Sequence, residues 1–160
     1  DKLQMFVDKL TESAINYIKY SDLIRTEEDN KCSVILVDTM GVLESLYAIS
    51  DVAVIGGTFN DLGGHNPLEA ANYGVALVFG PSRFMIIDVS NQLLSSGGAN
   101  SASNATELKD HLLNILGDKE LLQRMKDSSL AVALSNRGAS EKILMTLVKS
   151  GLIKSSQGSV

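Results

Sequence analysis

Three short apolar runs, separated by segments of helical periodicity, constrain the fold of this chain more than any other feature. The runs are VILV at 34–37, DVAVIGG at 51–57 and VALVFG at 75–80, and helical patterns occupy 41–50 and 67–74 between them. Each run is continuous, which is typical of strands buried on both faces of a sheet. Because parallel strands need crossover helices, the pattern predicts an α/β fold with a doubly wound parallel sheet.

The flanking segments extend this pattern at both ends. Apolar residues recur at helical spacing from 2 to 20, which predicts an amphipathic helix, and a polar linker at 26–31 follows it. Beyond the third strand, DVSNQLLSSGG at 88–98 predicts a helix with a glycine stop. ANSASN at 99–104 is interpreted as a weak edge strand or a loop.

Helical periodicity in the last third of the chain predicts three further helices. Asparagine and aspartate are typical of helix starts, and glycine of helix ends. The candidate starts are Asn104, Asp118 and Asn136, and the candidate stops are Gly117, Gly138 and Gly151. We expect one domain over 1–152 and a disordered tail at 153–160.

Composition excludes several classes of partner. With 14 basic and 19 acidic residues the net charge is −5, and no dense basic block is present, so we expect no nucleic acid partner. The single cysteine, Cys32, excludes an internal disulfide and a multi-cysteine metal site, and weakly favours a reducing compartment. No apolar stretch approaches the roughly 20 residues needed to span a bilayer, and the charged N-terminus is unlike a signal peptide. Because the first residue is not methionine, we expect a longer parent polypeptide.

Two loops follow predicted strands and are candidates for ligand contact. They are DTMG at 38–41 and GGTFNDLGGHN at 56–66. Ligands of open α/β sheets bind beyond the carboxyl ends of the strands. The glycine pairs at 56–57 and 63–64 would let backbone amides approach a ligand without a Cβ in the way.

The end of the second loop carries the signals of a helix start. Asn66 is placed as N-cap, Pro67 as the first helical residue and Glu69 where a capping-box glutamate belongs. A helix start suits phosphate, whereas a carboxylate suits the hydroxyls of a ribose, and together they indicate a nucleotide site. The alternative, in which Asn66 and Glu69 only cap the helix, the glycines only make turns and His65 has no task, stays open on local chemistry.

Motifs of other common enzyme classes are missing from the sequence. Neither Walker pattern, GxSxG, HExxH nor CxxC occurs, and GGTFND does not match GxGxxG. ATP-binding, dinucleotide-binding, hydrolase and zinc interpretations therefore lose support.

The succession DTMGVLESLYAISDVAVIGGTF, GGHNPLEAANYG, VALVFGP and NRGA resembles the C-terminal half of Kdo transferases. These enzymes carry 3-deoxy-D-manno-oct-2-ulosonic acid (Kdo) from its CMP ester to a lipid A precursor in lipopolysaccharide biosynthesis. The resemblance runs from about 33 to 150. It implies a GT-B architecture of two Rossmann-like domains, of which this chain would be the C-terminal, nucleotide-sugar-binding one, with CMP-Kdo as donor, no cofactor and no metal.

The resemblance implies roles for six residues in donor binding. Met40 and Gly41 would lie near the cytosine, Asn66 would contact the phosphate, Glu69 the ribose hydroxyls, and Gly57 and Thr58 would line the sugar-phosphate path.

Structural roles for several of these residues are weighed against the functional ones. Met40 is alternatively a core residue, Thr58 a turn residue, and Asp38 a cap for the following helix rather than a catalytic group. Three departures from the family pattern bear on donor geometry: Val42 replaces an acidic residue, Ala70 replaces a proline, and GPSRFM lacks the usual His and Asn.

The remaining functions belong, by the resemblance, to an N-terminal domain outside this chain. That domain would supply the catalytic carboxylate of an inverting transfer, the binding of the lipid A precursor, membrane attachment and a nucleotide-binding Pro-Arg motif. The chain alone would be inactive, and the enzyme would act at the cytoplasmic face of the bacterial inner membrane, or in an organelle for a plant relative. Two alternatives remain: a non-catalytic nucleotide-binding module, and another GT-B enzyme that uses a UDP-sugar.

Overall fold

The computed structural model describes residues 2–25 and 32–150. The chain divides into two compact units, Asp1–Leu43 and Glu44–Val160, and each is described by itself. The single domain expected over 1–152 stays a prediction. The linker at 26–31, the stop at Gly151 and the tail at 153–160 lie outside the described residues.

The first unit begins as the sequence predicts and then departs from it. Its elements are α1 (Lys2–Glu12), β1 (Tyr17–Lys19), α2 (Tyr20–Leu23) and β2 (Val34–Leu36). β1 and β2 pair in parallel, with Tyr17 opposite Val34. The helix expected over 2–20 is therefore wrong beyond Glu12, where a turn and then a strand replace it.

Ala14 ends the first helix by adopting left-handed backbone geometry, with φ of 52°. The Ile15 N–H donates to the Leu10 carbonyl at 2.9 Å, and the Ala14 N–H donates to the Thr11 carbonyl at 3.0 Å. These two bonds form a Schellman motif, which is usually built on glycine. The sequence gives little warning of this stop because alanine rarely occupies the left-handed position.

We expect Ala14→Gly to stabilise the protein by about 0.5–1 kcal/mol, because glycine removes the left-handed strain but adds freedom to the unfolded chain. Urea unfolding followed by far-UV circular dichroism measures the difference. Ala131→Gly is the control: it lies exposed within a long helix, where glycine costs about 1 kcal/mol. A loss of stability in Ala14→Gly would contradict the claim that the left-handed backbone at Ala14 is strained.

From Leu43 onward, helices and strands alternate before two helices close the chain. The elements are α3 (Leu43–Ala48), β3 (Val52–Val54), α4 (Leu68–Ala71), β4 (Ala76–Phe79), α5 (Ile87–Ser95), β5 (Ala99–Ser101), α6 (Ala105–Gly117) and α7 (Lys119–Lys149). The three strands form a parallel sheet in the order β3-β4-β5. The predicted α/β class with parallel strands is confirmed, and 99–101 is an edge strand.

β4 is the centre of this unit, because every one of its residues is buried. Leu77 and Phe79 pack into a core with α4, α5 and the middle of α7. Ala76 and Val78 point the other way, into a core with α6 and the start of α7. Alternation along one strand thus covers both faces of the sheet with helices, as a doubly wound sheet requires.

Burial of the other two predicted strands is less complete than expected. Ile35 in β2 and Val54 in β3 keep 43% and 42% of their surface exposed. Among the residues that the structure describes, β3 is an edge strand of its sheet, and β2 pairs with β1 alone. An apolar run therefore predicts a strand here but not its position in the sheet.

Helix boundaries follow the local signals except within α7. Asn104 and Asp118 accept hydrogen bonds from the first-turn N–H groups of α6 and α7, and Gly97, with φ of 78°, ends α5. The break expected at Asn136 and Gly138 is wrong, because α7 runs through both. The Asn136 amide donates to a carbonyl one turn back and to Gln92 on α5, so the side chain serves packing rather than capping.

Candidate functional site

Residues 56–66, here called the glycine loop, form a closed loop one residue after the end of β3. The Gly64 N–H donates to the Gly57 carbonyl at 3.1 Å, and the His65 N–H donates to the Gly56 carbonyl at 3.0 Å. These bonds hold the two ends of the loop together, so the residue that follows, Asn66, returns to the carboxyl end of the strand. The loop occupies the position at which α/β proteins bind ligands.

Thr58 fastens this loop to the segment that follows β4. The residue is fully buried, and its hydroxyl donates to the Ile55 carbonyl and accepts from the Gly80 N–H at 2.8 Å. The Ser82 N–H adds a bond to the Thr58 carbonyl at 2.9 Å. The side chain is fully buried, and its hydroxyl proton is used within the fold, which favours the turn interpretation for this side chain. The role of Thr58 in lining the sugar-phosphate path stays a prediction.

The segment 80–86, here called the β4 loop, fits against the glycine loop so closely that side chains are excluded. The Met85 N–H donates to the Gly63 carbonyl at 3.1 Å. A Cβ on Gly63 would lie 2.7 Å from Phe84, and one on Gly64 would lie 2.7 Å from Ile86. Both glycines also have positive φ, 78° at Gly63 and 94° at Gly64, a backbone conformation that favours glycine. The fold therefore accounts for the second glycine pair independently of any ligand.

Gly80→Ala tests this contact, because an added Cβ would collide with the backbone carbonyl of Thr58. We expect a loss of about 1–3 kcal/mol in the free energy of unfolding, the range for overpacking. Gly117→Ala at the end of α6 is the matched control, since an added Cβ there meets no atom within 4 Å, and we expect no loss. Thermal unfolding of both variants measures the difference, and equal stabilities would contradict the close approach.

Asn66 and Glu69 stand exposed at the end of the glycine loop. The Asn66 Oδ1 accepts a hydrogen bond from the Leu68 N–H at 3.1 Å, and Pro67 already has helical backbone angles. The Asn66 side chain thus caps the turn that leads into α4, but the helix begins at Leu68, one residue later than predicted, has Pro67 rather than Asn66 at the N-cap position, and is only four residues long. The capping-box bond expected of Glu69 is absent from the described residues, which leaves its carboxylate available to a ligand.

Tyr47 on α3 is a neighbour of Glu69 that the sequence did not point to. Burial raises the pKa of the Tyr47 hydroxyl, and the negative charge of Glu69 raises it further. The ring packs against the core beside β4. The half-buried Tyr47 hydroxyl therefore lies close enough to Glu69, the residue predicted to bind the ribose, for the carboxylate charge to affect its pKa.

The DTMG loop belongs to the first unit, and its residues are described there alone. Met40 is 98% exposed, so the core-packing alternative is wrong. Gly41 has φ of 83°, a conformation that favours glycine. The roles of both residues near the cytosine stay predictions, as do those of Gly57, Asn66 and Glu69.

The sequence suggested that Asp38 caps the following helix, and the structure shows that it does not. Its carboxylate accepts hydrogen bonds from the hydroxyl and the N–H of Ser21, at 2.6 and 2.9 Å. These bonds hold the pKa of the Asp38 carboxyl below its usual range, the hydroxyl contributing most. α3 begins only at Leu43, so Asp38 instead ties the end of β2 to α2.

Removing the Ser21 hydroxyl should raise the pKa of Asp38 towards its usual value. A lowered carboxyl pKa adds stability above the unfolded pKa, and this stability is lost as pH falls through the folded pKa. Ser21→Ala should therefore begin to unfold at a higher pH on acidification. Carboxyl 13C chemical shifts of Asp38 measure the pKa, with Ser33→Ala as the exposed control. An unchanged Asp38 titration in Ser21→Ala would contradict the assignment.

Residues 2–25 and 32–150 contain neither a metal-binding cluster nor a helix that could span a membrane. No group of three or more His, Cys, Asp or Glu side chains there is placed to hold a metal ion. No helix in these ranges is long and apolar enough to cross a membrane. The expectation that the protein works without a metal stays a prediction.

The fold and loops define a Rossmann-like α/β protein with a closed glycine loop at the carboxyl edge of its sheet. No family model matches the chain. It is similar to the 3-deoxy-D-manno-octulosonic acid transferases of Aquifex aeolicus, with 37% identity over 93 residues, and Haemophilus influenzae, with 31% over 147. These matches cover 58% and 90% of this chain but 26% and 34% of the relatives. The resemblance drawn from the motifs is confirmed.

Two further comparisons agree with this similarity. A bifunctional glycosyltransferase/methyltransferase of Fusobacterium nucleatum is 32% identical over 152 residues, 93% of this chain and 24% of that protein. The structure of the C-terminal CMP-Kdo binding domain of WaaA from Acinetobacter baumannii superposes with a TM-score of 0.74 at 24% identity, over 82% of this chain and 67% of that one. At this identity the superposition shows the fold. The chain spans about a quarter to a third of the length of these curated relatives.

Proposed function

We propose that this chain is the donor-binding domain of an inverting Kdo transferase with GT-B architecture, and that its ligand is CMP-Kdo. The observation that carries the proposal is the pair of exposed polar residues, Asn66 and Glu69, held at the carboxyl edge of the sheet by the glycine loop. Neither side chain contributes to the packed core. The similarity to Kdo transferases supplies the chemical identity of the donor.

Each group at this edge suits one part of a nucleotide. The amide of Asn66 and the backbone N–H groups near Gly57 would donate to the phosphate, and donors of this kind stabilise charge on a leaving group. The carboxylate of Glu69 would accept from the ribose hydroxyls. For the cytosine, the resemblance to Kdo transferases implies Met40 and Gly41, which belong to the first unit.

The reaction would be divided between two domains. A carboxylate of an N-terminal domain would deprotonate the hydroxyl of the lipid A precursor, which attacks the anomeric carbon while CMP departs from this domain. No metal enters the proposal, because donor groups of the protein would stabilise the departing phosphate. The chain alone would thus bind donor without catalysis, and the complete enzyme would act at the cytoplasmic face of the inner membrane.

Titration of the 160-residue chain with CMP, UMP and AMP, followed by amide NMR, tests the proposal. We expect CMP, but neither UMP nor AMP, to shift the amide resonances of Gly41, Gly57 and Asn66. Glu69→Ala should weaken CMP binding by about tenfold or more, the effect of losing a charged hydrogen-bond acceptor. Glu120→Ala on the exposed side of α7 is the control, and its affinity should be unchanged.

The other outcomes separate the alternatives. Equal affinity for UMP and CMP would favour a GT-B enzyme that uses a UDP-sugar. No shift with any nucleotide would overturn the donor-binding role of the glycine loop. Binding of CMP by the complete polypeptide without transfer of Kdo would favour a non-catalytic module.

A further inference from the structure

The β4 loop borders a depression whose lining residues take no part in the proposed nucleotide contacts. Its volume is about 310 Å³, and its lining residues are Pro81, Ser82, Arg83, Phe84, Ile87 and Asn91. Two walls are apolar, since Phe84 and Ile87 are 62% and 55% exposed. This combination of exposed carbon surface and one guanidinium is typical of a site for a small, charged organic group.

Arg83 is poorly satisfied within the chain. Its Nε is buried without a hydrogen-bond partner, and its Nη1 lies 3.4 Å from the Ser90 hydroxyl, a long and weak contact. In the described ranges its guanidinium has no carboxylate within ion-pair distance. A partly buried charge without a counterion is unfavourable, so an anion would complete the site.

Ser90 positions the guanidinium but cannot neutralise it. The serine is fully buried, and its hydroxyl proton goes to the Ile87 carbonyl at 3.1 Å. The oxygen is thereby left as a neutral acceptor facing Arg83. Four of the five N–H donors of the guanidinium have no partner in the part of the chain that the structure describes.

The depression and the glycine loop share one rigid framework. Arg83 lies between Ser82 and Met85, whose N–H groups donate to Thr58 and Gly63 of the glycine loop. The backbone at Arg83 is therefore held by the same framework as the predicted phosphate ligands. A group attached to the phosphate of a bound nucleotide could lie in the depression.

We propose that Arg83 binds the carboxylate of the donor sugar, an inference that rests on the proposed function. An octulosonic acid differs from a neutral sugar by this group, and guanidinium matches a planar carboxylate with two parallel hydrogen bonds. In the proposed site the phosphate would already have donors in the glycine loop, Asn66 among them. Arg83 thus selects an acidic sugar, while the glycine loop binds the nucleotide.

Affinities of CMP and CMP-Kdo for the 160-residue chain and its variants test the assignment. We expect Arg83→Met to weaken CMP-Kdo by about tenfold or more and to leave CMP within about twofold. Arg83→Lys keeps the charge without the fork and should give an intermediate loss. Arg124→Met, on the exposed face of α7, should change neither affinity. In 1H–15N spectra the Arg83 Nε proton should shift with CMP-Kdo and not with CMP.

Each contrary result has a distinct meaning. Equal weakening of CMP and CMP-Kdo in Arg83→Met would show that the guanidinium serves the phosphate, and would overturn the assignment. Unchanged affinity for both would show that Arg83 is structural. If the unmodified chain binds CMP, and binds CMP-Kdo no more tightly than CMP, this inference alone fails. If it binds neither, the proposed function fails as well.

Discussion

The hydroxyl of Thr58 is the interaction on which the ligand edge of the second unit depends. It joins the end of β3 to the residue after β4 by donating to one backbone carbonyl and accepting from one backbone N–H. Both backbone groups are buried, so leaving either unpaired would cost about 1–3 kcal/mol. A serine could replace both bonds, whereas a valine of the same shape could replace neither. The two loops that frame the site are therefore held by one small polar side chain.

That anchoring changes what the glycines of the loop mean. Gly63 and Gly64 have left-handed backbone geometry and face the side chains of the β4 loop, so the fold favours glycine at both positions without any ligand. A glycine-rich loop is thus weak support for binding here. The stronger indications are polar groups that the fold leaves unused: the carboxylate of Glu69 and the guanidinium of Arg83, neither well satisfied within the described chain. Function is inferred best from what packing does not explain.

The sequence predicted those parts of the fold that local signals control. The three apolar runs became strands, and Asn104, Asp118 and Gly97 mark helix boundaries because each acts on its own backbone neighbours. Prediction failed where distant contacts decide. Asn136 bonds to Gln92, 44 residues away, and so remains inside a helix.

The same distinction applies to the site. Asn66 was recognised as a cap because its bond is local, whereas the bond of Thr58 to Gly80 spans 22 residues and no local pattern indicates it. Arg83 appeared in the sequence only as part of a departure from the family motif. Its significance comes from an absence of partners, which is visible only when the surrounding side chains are in place.

The electrostatics of the chain favour local recognition over attraction by net charge. With a net charge of −5, the protein as a whole repels an anionic nucleotide sugar, and this repulsion between exposed charges is screened within about 8–10 Å at physiological salt. In the proposed site, backbone N–H groups and the Arg83 guanidinium would act inside that distance, where hydrogen-bond geometry would decide which anion is accepted. An acidic domain with few hydrogen-bond donors in its site would therefore bind a nucleotide sugar by shape and spacing. It would discriminate poorly between sugars if those hydrogen-bond donors moved. On this proposal the framework of Thr58, Gly63 and Gly80 would matter to specificity although none of the three needs to offer a side chain to the ligand.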